Sequence, residues 1–256
     1  MIKALEMTLA VNNCLSCLHC PQAALGDVYK SDKRRMRLAD FYTIVDKIPK
    51  DCQLHFSGFN EAMMHPDFSE MLLFASKSDL EIHLFTTLVG LNHEKAGAIL
   101  NSDIASIRLH LPNGVEFKYD IQKWLKLLDM FLDTGKSFTA MSLHEIEPAL
   151  ENALMERGIA VENPQVLSRA GNLGWVAANK PITGPVTCQA QRWHMNECMP
   201  TGDVYLCSMD WGLKMPVGNL LTQTYEEIHA AAEKYRLNFN PAADSPCRSC
   251  DWSRPA

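Results

Sequence analysis

"KALEMTLAVNNCLSCLHC", residues 3–20, joins an alternating apolar strand to three cysteines, Cys14, Cys17 and Cys20, each two residues from the next. A strand delivering chemistry-bearing residues to the loop at its C-terminal end is the layout of parallel α/β proteins. Three thiols in seven residues suit an iron–sulfur cluster whose fourth metal corner is open to an exogenous ligand. Zinc completed by one remote ligand is the competing reading.

Working outward, strand-like and helix-like segments alternate from residue 3 to about residue 160. "CQLHFSG", "EIHLFTT", "IASIRLHLP", "SFTAMSLH" and "IAVENPQVL" read as strands. "LADFYTIVDKI", "PDFSEMLLFASKS", "NHEKAGAILNS", "FKYDIQKWLKLLDMFLDTG" and "EIEPALENALMERG" read as the helices between them. Six such units predict an α/β fold, a partial (β/α)6 TIM-like barrel, short of the eight units of a full barrel. After about residue 170 the sequence turns rich in Gly and Pro, with one hairpin-like segment and one good helix. Thr224 and Glu227 mark that helix's start by their capping-box spacing. So short a tail builds little core of its own and is a natural place for metal ligation.

The 256 residues are 47% hydrophobic and 21% charged, with a formal net charge of -6. No basic run supports nucleic-acid binding. The N-terminus lacks the layout of a secretion signal, and no apolar run reaches the roughly 20 residues of a membrane-spanning helix. A cytoplasmic location is the expectation, and there clustered cysteines read as metal or redox ligands. Of nine cysteines, three lie at 14–20 and five between Cys188 and Cys250; Cys52, beside a strand, reads as a small buried hydrophobe.

Several stretches in order resemble the radical S-adenosylmethionine (SAM) enzymes. Pro21 follows the cysteines, and Glu6 lies on the strand before them. "FSGFNEAMMHPDF" resembles the family's Gly-Gly-Glu segment, with Gly58 and Glu61 in matching places. "LFTTLVG" resembles the end of the third strand, keeping Thr86, and "IRLHLPNG" the fourth, with His110 where a polar residue contacts SAM. "SRAGNL", 168–173, resembles a segment of members with an extra cluster domain and carries Arg169. The resemblance implies SAM-binding roles for Gly58, Glu61, Thr86, His110, Arg169 and His19. It assigns Cys14, Cys17 and Cys20 to a [4Fe-4S] cluster. The spacing is CxxCxxC where the family commonly has CxxxCxxC, so Asn13 occupies the usual first position.

In the tail, Cys188, Gly202 and Cys207 followed by "CRSC" (Cys247, Cys250) resemble the auxiliary-cluster domains called SPASM or twitch. Four thiolates suit one auxiliary [4Fe-4S] cluster bound by Cys188, Cys207, Cys247 and Cys250; zinc uses the same ligands. Cys198 is left over as a spare thiol, an alternative ligand or a residue near substrate. The implied organisation is a radical SAM partial barrel over 1–168 and a twitch/SPASM-like domain over 169–256. The implied activity is reductive cleavage of SAM to a 5′-deoxyadenosyl radical that abstracts a hydrogen atom from substrate. Two clusters and SAM are the implied cofactors, and a flavodoxin or ferredoxin the implied reductant. By similarity to short twitch-type dehydrogenases the substrate is a small polar metabolite, with a peptide as runner-up. His55, His83, His110, Arg108, His144 and Arg169 are the polar candidates for its site. A non-catalytic zinc-binding protein is the reading from another class. "DTGKS" fails as a phosphate loop, because Met130 stands where the first glycine belongs.

Overall fold

The computed structural model describes residues 3–11, 17–112, 119–235 and 239–256. Six strands alternate with helices through the first two thirds of the chain. They are β1 (Lys3–Met7), α1 (Gln22–Val28), α2 (Leu38–Val45), β2 (Cys52–Phe56), α3 (Phe68–Ser76), β3 (Glu81–Thr86), α4 (His93–Leu100), β4 (Ser106–His110), α5 (Ile121–Leu132), β5 (Thr139–Met141), α6 (Pro148–Glu156) and β6 (Val161–Glu162). β1 to β6 lie side by side in chain order, every neighbouring pair parallel. This is the expected α/β partial barrel.

Alternation along the strands separates two faces. Leu5, Met7, Leu54, Phe56, Ile82, Leu84, Ile107 and Leu109 are buried in the main apolar core. The opposite face carries Glu6, His55, Ser57, His83, Phe85, Arg108 and His110. α5 shows the helical counterpart: Trp124, Leu128 and Phe131 are its buried stripe, and Asp120 caps it by accepting from the Lys123 amide at 3.0 Å. Trp124 Nε1 also donates to the Thr87 carbonyl at 2.8 Å, pinning the loop after β3.

The tail forms β7 (Val186–Cys188), β8 (Met195–Cys198), β9 (Asp203–Tyr205), β10 (Pro216–Asn219), α7 (Tyr225–Glu233) and β11 (Ser253–Pro255). It is richer in strands than the sequence suggested, and it does not stand apart from the barrel. β8 pairs in parallel with β1, and β9 and β10 follow antiparallel, giving one nine-stranded sheet of order β10-β9-β8-β1-β2-β3-β4-β5-β6. Trp193, Val204, Val217, Leu220, Tyr225 and Ile228 share the barrel's apolar cluster. A segment too short for its own core is held by the larger one, by β1's free edge as well as by any metal. β7 and β11 make a separate antiparallel pair. α7 carries the expected capping box: Thr224 Oγ1 accepts from the Glu227 amide at 3.2 Å, and Glu227 Oε2 from the Thr224 amide at 2.8 Å. No helix among the described residues is long and apolar enough to cross a membrane.

Candidate functional site

The strand ends gather the predicted residues of the first site. Cys14 lies outside the described residues; Cys17 and Cys20 are partly exposed in the loop after β1. The Cys20 amide donates to the Cys17 carbonyl at 3.2 Å, a tight turn that keeps the two thiols on one short loop. Gln22 Nε2 ties the loop's far end to the Phe59 carbonyl at 2.7 Å. His19 is buried, its ring 4.7 Å from that of His144 and 4.9 Å from that of Trp175, and Trp175 Nε1 donates to the Leu18 carbonyl at 3.4 Å. The cysteine loop therefore packs against the segment after β5 and the one that follows β6.

Gly58 turns the chain after β2 with φ +74°, a backbone conformation that favours glycine. A Cβ there would lie 2.4 Å from Glu197 Oε1 and 2.5 Å from Thr8 Oγ1. This close approach lets Thr8 Oγ1 accept from the Phe59 amide at 2.8 Å while donating to Glu197 Oε1 at 2.5 Å. Glu61, three residues on, accepts four hydrogen bonds: from the Met63 amide (3.1 Å) and Thr86 Oγ1 (2.9 Å) on Oε1, and from the Thr87 amide (2.6 Å) and hydroxyl (2.7 Å) on Oε2. Burial pushes its pKa up, against the pull of these donors. Both oxygens thus brace the β2 loop against the end of β3. Thr86 also accepts from the Leu88 amide at 2.9 Å, and His110 ends β4 in register with Met141.

Below these loops the polar face of the sheet carries a network in which the sequence pointed to Glu6, His55, His83 and Arg108 but not to Ser57, Arg192, Ser208 or Glu197. Glu6 Oε1 accepts from Arg192 Nη1 (3.3 Å) and Ser208 Oγ (3.2 Å), and Oε2 from Ser57 Oγ (3.3 Å). Burial raises the Glu6 pKa, opposed first by the Arg192 guanidinium and, more weakly, by Arg169. Glu197 sits directly opposite Glu6 in the β1–β8 register. Burial and then the Glu6 charge push its carboxyl well above the ordinary range, which favours the protonated acid. His55 is driven down to about 3, first by burial and then by His83 and Arg192, so it is a neutral ring. It packs 4.6 Å from His83 and 5.8 Å from Phe85, over which Arg108 lies at 5.9 Å. Glu197 escaped notice because nothing in "MNEC" marks a strand; only pairing with β1 turns it inward.

The tail's thiols converge. Cys188 at the end of β7, Cys207 after β9, and Cys247 and Cys250 near the C-terminus line one apolar cavity with Trp193, Met209 and Phe239. Burial and then the Cys247 thiol push the Cys207 pKa well above its usual value; burial, with Cys250 and Cys188 nearby, takes Cys247 to about 12. Four thiolates crowded in an apolar cavity repel one another unless a cation sits between them, which is the donor set of a soft metal centre. Cys198 is elsewhere, fully buried in the main core on β8. Cys52 is buried as expected, its Sγ 3.1 Å from the Tyr225 hydroxyl.

The two regions are joined. The Arg192 amide approaches Cys188 Sγ at 3.5 Å while its guanidinium holds Glu6. Asp251, beside Cys250, accepts from the Ser168 amide (2.8 Å), Ser168 Oγ (2.9 Å) and the Ala170 amide (3.4 Å). Arg169 and Ala170 take left-handed conformations in that turn, at φ +53° and +56°. "SRAGNL" is thus clasped by the four-thiol region while its next residues cover the cysteine loop.

Residues 188–251 match the family model of SPASM, an iron–sulfur cluster-binding domain. Among solved structures, BtrN in complex with AdoMet and 2-DOIA is similar at a TM-score of 0.68 and 15% identity, over 98% of this chain and 93% of that one. Native anSMEcpe with bound AdoMet and Cp18Cys peptide gives 0.61 and 15%, over 97% and 86%. Streptococcus suis SuiB bound to precursor peptide SuiA gives 0.51 and 12%, over 98% and 70%. No curated protein matches the chain by sequence.

Proposed function

On the premise of a chain with the radical SAM fold and a SPASM iron–sulfur domain, we propose that this protein is a radical SAM oxidoreductase acting on a small polar metabolite. The observation that carries the reading is the convergence of Cys188, Cys207, Cys247 and Cys250 on one cavity, joined through Arg192 to the polar face of the barrel. Cys14, Cys17 and Cys20 would hold the SAM-binding cluster and the other four thiols an auxiliary one. When bound, these groups supply one-electron cleavage of SAM to a 5′-deoxyadenosyl radical, hydrogen abstraction from substrate and an acceptor for the second electron.

The chain's own residues bind and orient. The Gly58 turn and the braced Glu61 fix the loops that flank the cysteine loop, and His19, Thr86 and His110 are the proposed contacts to SAM around it. Arg169, in the turn that Asp251 holds, is a further proposed contact to SAM. Glu6, Arg192 and the neutral His55 offer acceptors and donors on one face, which suits a substrate with several hydrogen-bonding groups. The proposed division is a barrel over 1–168 and an auxiliary-cluster domain over 169–256, sharing one sheet, with a flavodoxin or ferredoxin as reductant. A peptide substrate is the second reading, favoured by the exposed Phe85 and Arg108 on the polar face and by the peptides in the anSMEcpe and SuiB structures.

Anaerobically reconstituted protein should hold about eight iron atoms and, with dithionite and SAM, release 5′-deoxyadenosine. Cys17→Ala should abolish that product while retaining the auxiliary iron. Stoichiometric zinc without iron, or full cleavage by the variant, overturns the proposal. Deuterium passing from a labelled polyol or amino sugar into 5′-deoxyadenosine, and not from a peptide, supports the small-metabolite reading.

A further inference from the structure

On the far side of the molecule from the cysteine loop, at the N-terminal end of β1, three potential metal ligands converge from two elements. His194 immediately precedes β8, and His229 and Glu233 are one turn apart on α7. His194 Nδ1 lies 3.3 Å from His229 Nε2, and each of these nitrogens lies 3.6 Å from the same atom, Glu233 Oε1. We propose that His194, His229 and Glu233 form a third metal site, separate from both cysteine groups, for a divalent transition ion of the Zn2+ class.

Among themselves the three atoms make one hydrogen bond, between the two imidazoles, and their separations also suit a shared ion. Two ligands bound at about 2.0–2.1 Å in a tetrahedron are about 3.3–3.4 Å apart, close to all three separations found. The two nitrogen–oxygen distances of 3.6 Å are too long for hydrogen bonds. Two imidazole nitrogens and one carboxylate oxygen suit Zn2+ better than Ca2+ or Mg2+, which take oxygen ligands. His194 is buried, while the side chains of His229 and Glu233 are 19% and 30% exposed, so water has access to a fourth position. The Tyr225 ring lies nearly parallel to that of His229, with centroids 6.3 Å apart. An ion here would clamp α7 to the start of β8, where the tail joins the barrel's sheet.

The site is tested on the full chain with its clusters assembled anaerobically, treated with EDTA, exposed to Zn2+ and desalted. The wild type should retain one zinc per chain and melt several degrees higher than without it. Glu233→Gln, His229→Gln and His194→Ala should each lose that zinc with iron content unchanged, which reports that the chain is folded. Glu233→Gln, at the partly exposed end of α7, is the variant least disturbing to the fold. No zinc retained by the wild type overturns the proposal. So does equal zinc in Glu233→Gln and the wild type, which would place the ion among the cysteines.

Discussion

Replacing Gly58 by alanine tests whether the turn after β2 is as tightly built as its geometry implies. At φ +74° an alanine costs about 1 kcal/mol in backbone strain alone. Its Cβ would fall 2.4 Å from Glu197 Oε1, 2.5 Å from Thr8 Oγ1 and 3.0 Å from the Thr8 amide nitrogen. Glu197 Oε1 is the tip of a side chain but is buried and held by Thr8, while Thr8 is short, holds the Phe59 amide and presents its own backbone nitrogen, so neither gives way freely. Overpacking adds about 1–3 kcal/mol, and parting Thr8 from Glu197 adds about 1–3 kcal/mol for buried groups left without a partner. Gly135 is the control: it has φ +66°, and nothing lies within 4 Å of its added Cβ. Each kcal/mol lowers the melting temperature of a chain this size by about 2–4 °C. Gly135→Ala should therefore lose about 2–4 °C and Gly58→Ala about 10 °C or more, followed by near-ultraviolet circular dichroism on matched samples. Equal melting temperatures for the two variants would refute the close approach.

Three further outcomes follow from the same network. Because burial beside Glu6 raises the Glu197 pKa, its contribution to stability is full below the unfolded value of about 4.3 and is lost as pH rises toward the folded one. Glu197→Gln, which keeps an acceptor for Thr8, should therefore gain on the wild type between pH 5 and pH 8; a gap in melting temperature that ignores pH would count against a protonated Glu197. Glu61→Gln turns an amide toward donors that now face a carboxylate oxygen and should cost about 1–3 kcal/mol in urea unfolding; an unchanged midpoint would show that the brace contributes nothing. Finally, Cys198→Ala should keep the reconstituted iron of the wild type, whereas Cys207→Ala should lose about four atoms; iron loss in Cys198→Ala would return that thiol to the ligand set.

The alternation of strands and helices was legible because it rests on local periodicity. Apolar residues two apart in "EIHLFT" and a buried stripe at Trp124, Leu128 and Phe131 declare their elements without help from the rest of the chain. The Thr224 cap and the buried Cys52 were legible for the same reason. Among the cysteines, spacing separated the two groups, but it left Cys198 undecided between ligand, spare thiol and substrate neighbour. Its place in β8, facing the main core, depends on a pairing with residues 191 positions earlier that no local pattern encodes.

By itself, then, the sequence determined the (β/α) order and the helix cap at Thr224, since each depends on neighbours along the chain, and it marked the cysteine clusters by their spacing. Tertiary structure alone decided that the tail completes the barrel's sheet rather than standing beside it. Only that placement sets Glu197 opposite Glu6, joins Arg192 to Glu6, and brings His194 against α7. Charges and ligands far apart in sequence meet because β1 has a free edge and the tail has too little apolar surface to fold alone.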